Sequence, residues 1–203
     1  MLLVAVPGGS FDMGFTDRDD QEVRAYLDYD AGAIQSTLQR IELACSPVHR
    51  VTVSPFLLSP QHLFPPQVEA VRGPPATDIL SPDAAAAFVR DVRDFRLPSE
   101  AELEYVGREG GSLSFLHDGG RVWSTTHRFP TEGGWGFRDL TFAAWAADEW
   151  HENYDGAPAT AVAWTGGGAP RAYRGCLIEP PSALITCSRI RGVGGARRWS
   201  ESR

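Results

Sequence analysis

The run Arg96-Leu97-Pro98-Ser99-Glu100-Ala101-Glu102-Leu103-Glu104-Tyr105 leaves the backbone little freedom. Pro98 holds φ near the value a turn needs, and Ser99 can accept a backbone N–H as N-cap. Glu102, three residues on, can reach back to the cap, so a capping box is expected here. Ser99 to Arg108 therefore reads as a helix, stopped by Gly110-Gly111. A second start signal precedes it, with Ser81 as N-cap, Pro82 at the first helical position, Asp83 in the first turn and then Ala84 to Val92.

Around these helices the chain is rich in punctuation. Twenty-one glycines and fifteen prolines in 203 residues favour turns and short irregular segments over long helices. Leu2 to Val6 and Ser10 to Met13 read as strands around Pro7-Gly8-Gly9, a hairpin-like opening with Phe11 and Met13 on one face. Val23, Leu27, Ile34, Leu38 and Ile41 recur at helical spacing, which predicts one or two helices, interrupted near Gly32, in an insertion at about 17–46. Val48 to Leu58 alternates as a strand, and Phe64, Val68 and Val71 suit a helical turn within the proline-rich Pro60 to Pro75. Beyond Ser112 short strands and turns are expected, with Trp123, Trp135, Trp145, Trp150 and Trp164 spaced irregularly among them.

Composition excludes some partners. A net charge of −7 argues against a nucleic-acid backbone, which is bound through basic surface. Every basic residue other than histidine is arginine; only the tail from Arg189 to Arg203 clusters positive charge. Cys45, Cys176 and Cys187 are odd in number and lack CxxC spacing, so no disulfide framework or zinc site is indicated. The opening Met1-Leu2-Leu3-Val4-Ala5-Val6 lacks a basic flank and stops at Pro7, which fits neither a signal peptide nor a membrane span. The expectation is one cytoplasmic domain over 1–203.

Several spaced motifs together resemble the formylglycine-generating enzyme family, also called sulfatase-modifying-factor-like. They are Pro7-Gly8-Gly9-Ser10-Phe11-Asp12-Met13-Gly14, Pro47-Val48-His49-Arg50-Val51, the alanine-rich helix with Arg96 to Glu102, Gly136-Phe137-Arg138-Asp139-Leu140, and Arg174-Gly175-Cys176-Leu177. The resemblance implies an α+β, C-type-lectin-like fold with little regular secondary structure. It also implies a copper-dependent oxidation that uses two cysteines a few residues beyond the last motif. Two thiolates suit a soft Cu(I) ion, but Leu177 to Ala183 contains no cysteine. Cys176 and Cys187 flank that stretch and are the only alternative thiols there; a small buried hydrophobe is the simpler role for each.

Calcium, the other metal of the family, takes oxygen ligands from a Gly-Asn-Val-x-Glu-Trp run. Phe142-Ala143-Ala144-Trp145-Ala146, assigned to that place, has no side-chain oxygen. Asp148, Glu149, Glu152 and Asp155 read as a solvated acidic loop, and His151-Glu152 is not an HExxH pair. His49 stands at a family position in a strand and reads as structural. No Gly-x-Ser-x-Gly elbow is present, and Gly166-Gly167-Gly168 lacks the Lys-Ser/Thr of a phosphate loop.

The sequence therefore predicts a catalytically silent domain, a pseudoenzyme with no catalytic residue and no required cofactor, that binds a protein, peptide or small ligand. Trp135, Trp145, Trp150, Trp164, Arg174 and Glu179 are the candidate binding residues, since tryptophan and arginine dominate binding hot spots. The alternative is a metal-dependent oxidoreductase with relocated ligands.

Overall fold

The structure is a computed structural model that describes residues 3–26, 39, 42–60, 65–73, 81–93, 95–113, 117–118, 121–122, 135–137, 144–167, 171–174 and 190–191. Its elements are short helices and small antiparallel sheets. Strands β1 (Val4–Val6) and β2 (Gly9–Met13) flank Pro7-Gly8, and β3 (His49–Val53) and β4 (Phe56–Leu58) flank Ser54-Pro55.

The opening is not a hairpin of β1 with β2. Instead β1 pairs with β4 (Val4 opposite Leu58, Val6 opposite Phe56), and β2 pairs with β3 (Gly9 opposite Val53, Met13 opposite His49). One register runs through both pairs, so the four strands form a single ribbon interrupted where Pro7-Gly8 faces Ser54-Pro55. Proline has no N–H to give a ladder, which explains the interruption. Gly8 is required on the facing side, because a Cβ there would lie 2.7 Å from Pro55 Cδ. The alternation predicted for Phe11 and Met13 is present: both are buried, as are Val51 and Val53 across the ribbon.

Helix α1 (Asp17–Tyr26) starts the predicted insertion. Backbone at 42–44 is helical, while Gly32 and the remaining periodic positions beyond Tyr26 lie outside the described residues. Helix α2 (Pro65–Arg72) buries Val68 but leaves Val71 exposed. Helix α3 (Pro82–Arg93) begins at the expected cap, where Ser81 Oγ accepts the Ala84 N–H at 3.2 Å.

Helix α4 (Glu100–Gly107) carries the predicted capping box, with Ser99 Oγ accepting the Glu102 N–H at 3.1 Å and Glu102 accepting the Ser99 N–H at 2.8 Å. The helix ends before the expected glycines, with Arg108 as its C-cap; Glu109 is the first left-handed residue (φ 46°), and Gly110 and Gly111 (φ 75° and 94°) continue the turn. α4 packs against the ribbon and against a second sheet of β7 (Ala144–Glu149), β8 (Arg171–Arg174) and β9 (Ile190–Arg191), all antiparallel. Two-residue strands β5 (His117–Asp118) and β6 (Arg121–Val122) pair separately.

The core gathers between α4 and the ribbon. Phe11, Val51, Val53, Val106 and Phe137 are almost fully buried, and the Phe11 and Tyr105 rings meet at 5.3 Å. Cys45 is wholly buried in this core, where it acts as a small apolar side chain. No described helix is long and apolar enough to cross a membrane.

Candidate functional site

Strand β7 runs past the start of α4, tied to it by Ala147 N–H donating to Pro98 O at 2.8 Å. Alternate side chains of a strand face opposite ways, so Asp148 follows Ala146 inward. Ala146 is wholly buried and Asp148 is 5% exposed. A carboxylate at this depth needs hydrogen-bond donors. It finds two backbone amides: Glu100 N–H donates to Oδ2 at 2.6 Å and Trp164 N–H to Oδ1 at 2.9 Å. The first belongs to the unsatisfied opening turn of α4, where negative charge also meets the positive end of the helix dipole. Burial, only partly offset by these bonds and reinforced by the nearby Glu100 carboxylate, pushes Asp148 up to about 6.

The segment from Tyr154 to Gly167 is laced between β3 and β7. Thr52 N–H donates to Ala159 O and Ala161 N–H to Thr52 O, extending the ribbon by one parallel bridge between Thr52 and Thr160. Glu149 N–H donates to Trp164 O at 2.9 Å, and Gly166 N–H to Glu149 Oε2 at 2.7 Å. Tyr154, 2% exposed, donates its hydroxyl to Glu100 Oε1 at 3.0 Å and meets the His49 ring edge-on at 5.2 Å.

These contacts border a half-open recess of about 20 Å³, room for one water-sized group. Asp148, Glu100, Tyr154, His49, Thr160 and Trp164 contribute to its wall. Outside it, His151 stacks flat on Trp164, with ring centres 3.5 Å apart and planes within 2°. His151 Nδ1 lies 3.0 Å from Glu149 O, which assigns its proton to Nδ1 because a carbonyl only accepts. Gly167 permits the stack, since a Cβ there would collide with Trp150 O and lie 2.7 Å from His151 Nε2.

The tryptophans named from the sequence fall into different surroundings. Trp164 lines the recess, and Trp150 and half-buried Trp145 follow one another along β7 and its end, with Trp145 opposite Tyr173 of β8. Trp135 stands elsewhere: it packs against the core, its ring 5.6 Å from Tyr105, with the Gly110 backbone close beneath it. Arg174 ends β8. Trp123, Glu179, Cys176 and Cys187 lie outside the described residues.

Asp148, Glu100, Tyr154, His49 and Thr160 also line the recess, and none of them is among the binding candidates the sequence offers. Asp148 lies in a strand and not in a solvated acidic loop, and its alternation with Ala146 is the local signal for an inward carboxylate. Ala144, Trp145 and Ala146 of the run assigned to calcium lie in β7, while Phe142 and Ala143 lie outside the described residues. Ala146 has no oxygen ligand to offer and is wholly buried, so these residues do not fit calcium. Among the described residues no three His, Cys, Asp or Glu side chains converge as metal ligands.

No family model matches the chain, and no curated protein matches it. Among solved structures it is similar to PvdO from Pseudomonas aeruginosa, with a TM-score of 0.58 and 21% identity over 85% of this chain and 80% of that one. That neighbour has a formylglycine-generating-enzyme-like fold, and the likeness extends to the fold alone.

Proposed function

We propose that this chain is a catalytically silent, ligand-binding module on a C-type-lectin-like scaffold of the formylglycine-generating type. The observation that carries the reading is the recess beside Trp164, where a half-buried indole and a buried carboxylate meet at an opening between β3 and β7. Convergent polar groups beside an apolar wall are what fix the orientation of a bound group, and this recess has room for a water-sized one. The copper chemistry of the scaffold needs two thiolates, and Leu177 to Ala183 supplies none. Function follows the site rather than the fold.

Two measurements test this reading. Fragments and random peptides are screened against the labelled protein by NMR, following the Trp164 indole and the amides of 157–164. Ligands that shift these resonances, and lose binding in Trp164→Ala, support the module. In parallel, the purified protein is titrated with Cu(I) before and after cysteine alkylation. Stoichiometric, alkylation-sensitive copper would overturn the proposal in favour of an oxidoreductase with relocated ligands, as would a screen in which no ligand class touches the recess.

A further inference from the structure

We infer that the recess beside Trp164 receives a primary ammonium group, free or at the end of a lysine side chain; this rests on the ligand-binding reading above. Size is the first argument. A recess of about 20 Å³ accommodates one water-sized group, which an –NH₃⁺ is.

Chemistry is the second. An ammonium brings three donors and no acceptor. Asp148 accepts only backbone N–H bonds and makes no ion pair within 4.0 Å among the described residues. A carboxylate has about four acceptor sites, so donors arriving from the recess can still be met. The Glu100 carboxylate stands in the same wall, so a cation rather than a neutral or anionic group suits the recess.

The third argument is supply. The chain contains no lysine, so no side chain of its own, or of a second copy, can bring an ammonium to this place. An ammonium bound here therefore comes from outside the chain's own side chains. Desolvating two charges offsets much of their attraction, so a bare amine should bind only in the millimolar range.

The groups facing Asp148 are Glu100 on α4, Arg96 ahead of it, His49 on β3 and Tyr154; the segment from Val162 to Gly167 contributes no ionisable side chain. Binding requires the ionised carboxylate. Because Asp148 titrates at about 6, affinity should be about tenfold weaker near pH 5 than near pH 8.

The test is NMR titration of the intact protein with n-butylamine, 1-butanol, butyrate, butyltrimethylammonium and Nα-acetyl-lysine amide. Butylamine should shift the Trp164 indole and the 157–164 amides, binding at least about tenfold tighter than butanol or the trimethylated analogue. Equal or tighter binding by the blocked lysine would identify a protein-borne ammonium, and weaker binding a free amine; both support the assignment. Asp148→Asn should abolish the butylamine response, and if that variant does not fold, the pH series on the natural protein decides. Equal binding of butanol, butyrate or butyltrimethylammonium at these resonances would overturn the ammonium assignment while leaving a ligand site in place. If none of the five shifts them but another fragment in the wider screen does, the ammonium assignment alone falls. If nothing does, both readings fall.

Discussion

Arg108 and Asp19 hold each other in a two-pronged ion pair, Nη1 to Oδ1 at 3.1 Å and Nη2 to Oδ2 at 3.0 Å, with both side chains at most 5% exposed. Two further donors are also used: Nε donates to Glu104 Oε1 at 2.9 Å and Nη2 to Gly14 O at 2.6 Å. Glu104 Oε1 in turn accepts the Gly14 N–H. The pair thus pins the start of α1 and the end of β2 onto α4. Burial lowers the pKa of Arg108, but the two carboxylates more than offset it, so the guanidinium stays charged.

Removing one partner of such a pair strands the other charge. Asp19→Ala should therefore destabilise the fold by about 3–5 kcal/mol, and Arg108→Lys should also be costly because an ammonium cannot reproduce the fork. Urea unfolding followed by circular dichroism measures both. A loss under 1 kcal/mol in Asp19→Ala would mean the network is not a structural tie.

The Ser99 cap is a smaller and more local contribution. Ser99→Ala should cost about 1 kcal/mol in chemical denaturation, and Ser99→Asp should recover most of it by supplying another acceptor to the Glu102 N–H. An unchanged midpoint in Ser99→Ala would contradict the capping geometry.

Trp135 and Trp164 should separate core from binding surface. Trp135→Ala should destabilise by about 2–3 kcal/mol through lost packing on Tyr105, without altering ligand response at the recess. Trp164→Ala should do the reverse, losing the recess ligand with a smaller shift in thermal midpoint. Equal stability losses would make both residues core.

Gly14 has φ of 115°, and a Cβ there would approach Cys45 O at 2.6 Å. Gly14→Ala should therefore cost more than 1 kcal/mol, combining left-handed strain with a clash against backbone that also receives the Phe15 N–H. Thermal unfolding of this variant beside Gly156→Ala, where φ is also positive but nothing lies within 4 Å, isolates the clash.

Asp148 gives stability a pH dependence of defined sign. Its folded pKa is raised from 3.8 to about 6, so the folded state holds the proton more tightly than the unfolded chain. This group favours the fold below about pH 4, and that contribution is lost as pH rises through about 6. The stability of the natural protein relative to Asp148→Asn should fall by on the order of 3 kcal/mol between about pH 4 and pH 7. A difference that stays constant, or grows with pH, would show that Asp148 is an ordinary ionised carboxylate.

Much of the scaffold was legible because its signals are local. Ser99 and Glu102 lie one helical turn apart, Ser81-Pro82-Asp83 occupies three consecutive residues, and Phe11 and Met13 alternate within five. Thr16 shows what a local reading can still overlook: its amide donates to Asp19 Oδ2 at 2.8 Å, and its hydroxyl accepts the Asp19 N–H at 3.3 Å, a second reciprocal cap in plain sequence view. The site was far less legible. Asp148 looked like a member of a solvated acidic loop because nothing within a few residues reveals that its donors come from Glu100 and Trp164.

The sequence alone determined where two helices start, where glycine and proline break the strands, and which side chains alternate, since each of these depends on backbone sterics and hydrogen bonds spanning a single turn. Tertiary structure decided that β1 seeks β4 rather than β2, that Arg108 and Asp19 meet across 89 positions, and that Asp148 is buried under an amide 48 residues away. Those outcomes turn on which distant groups satisfy one another once water is excluded, and that choice is made by the packed core as a whole.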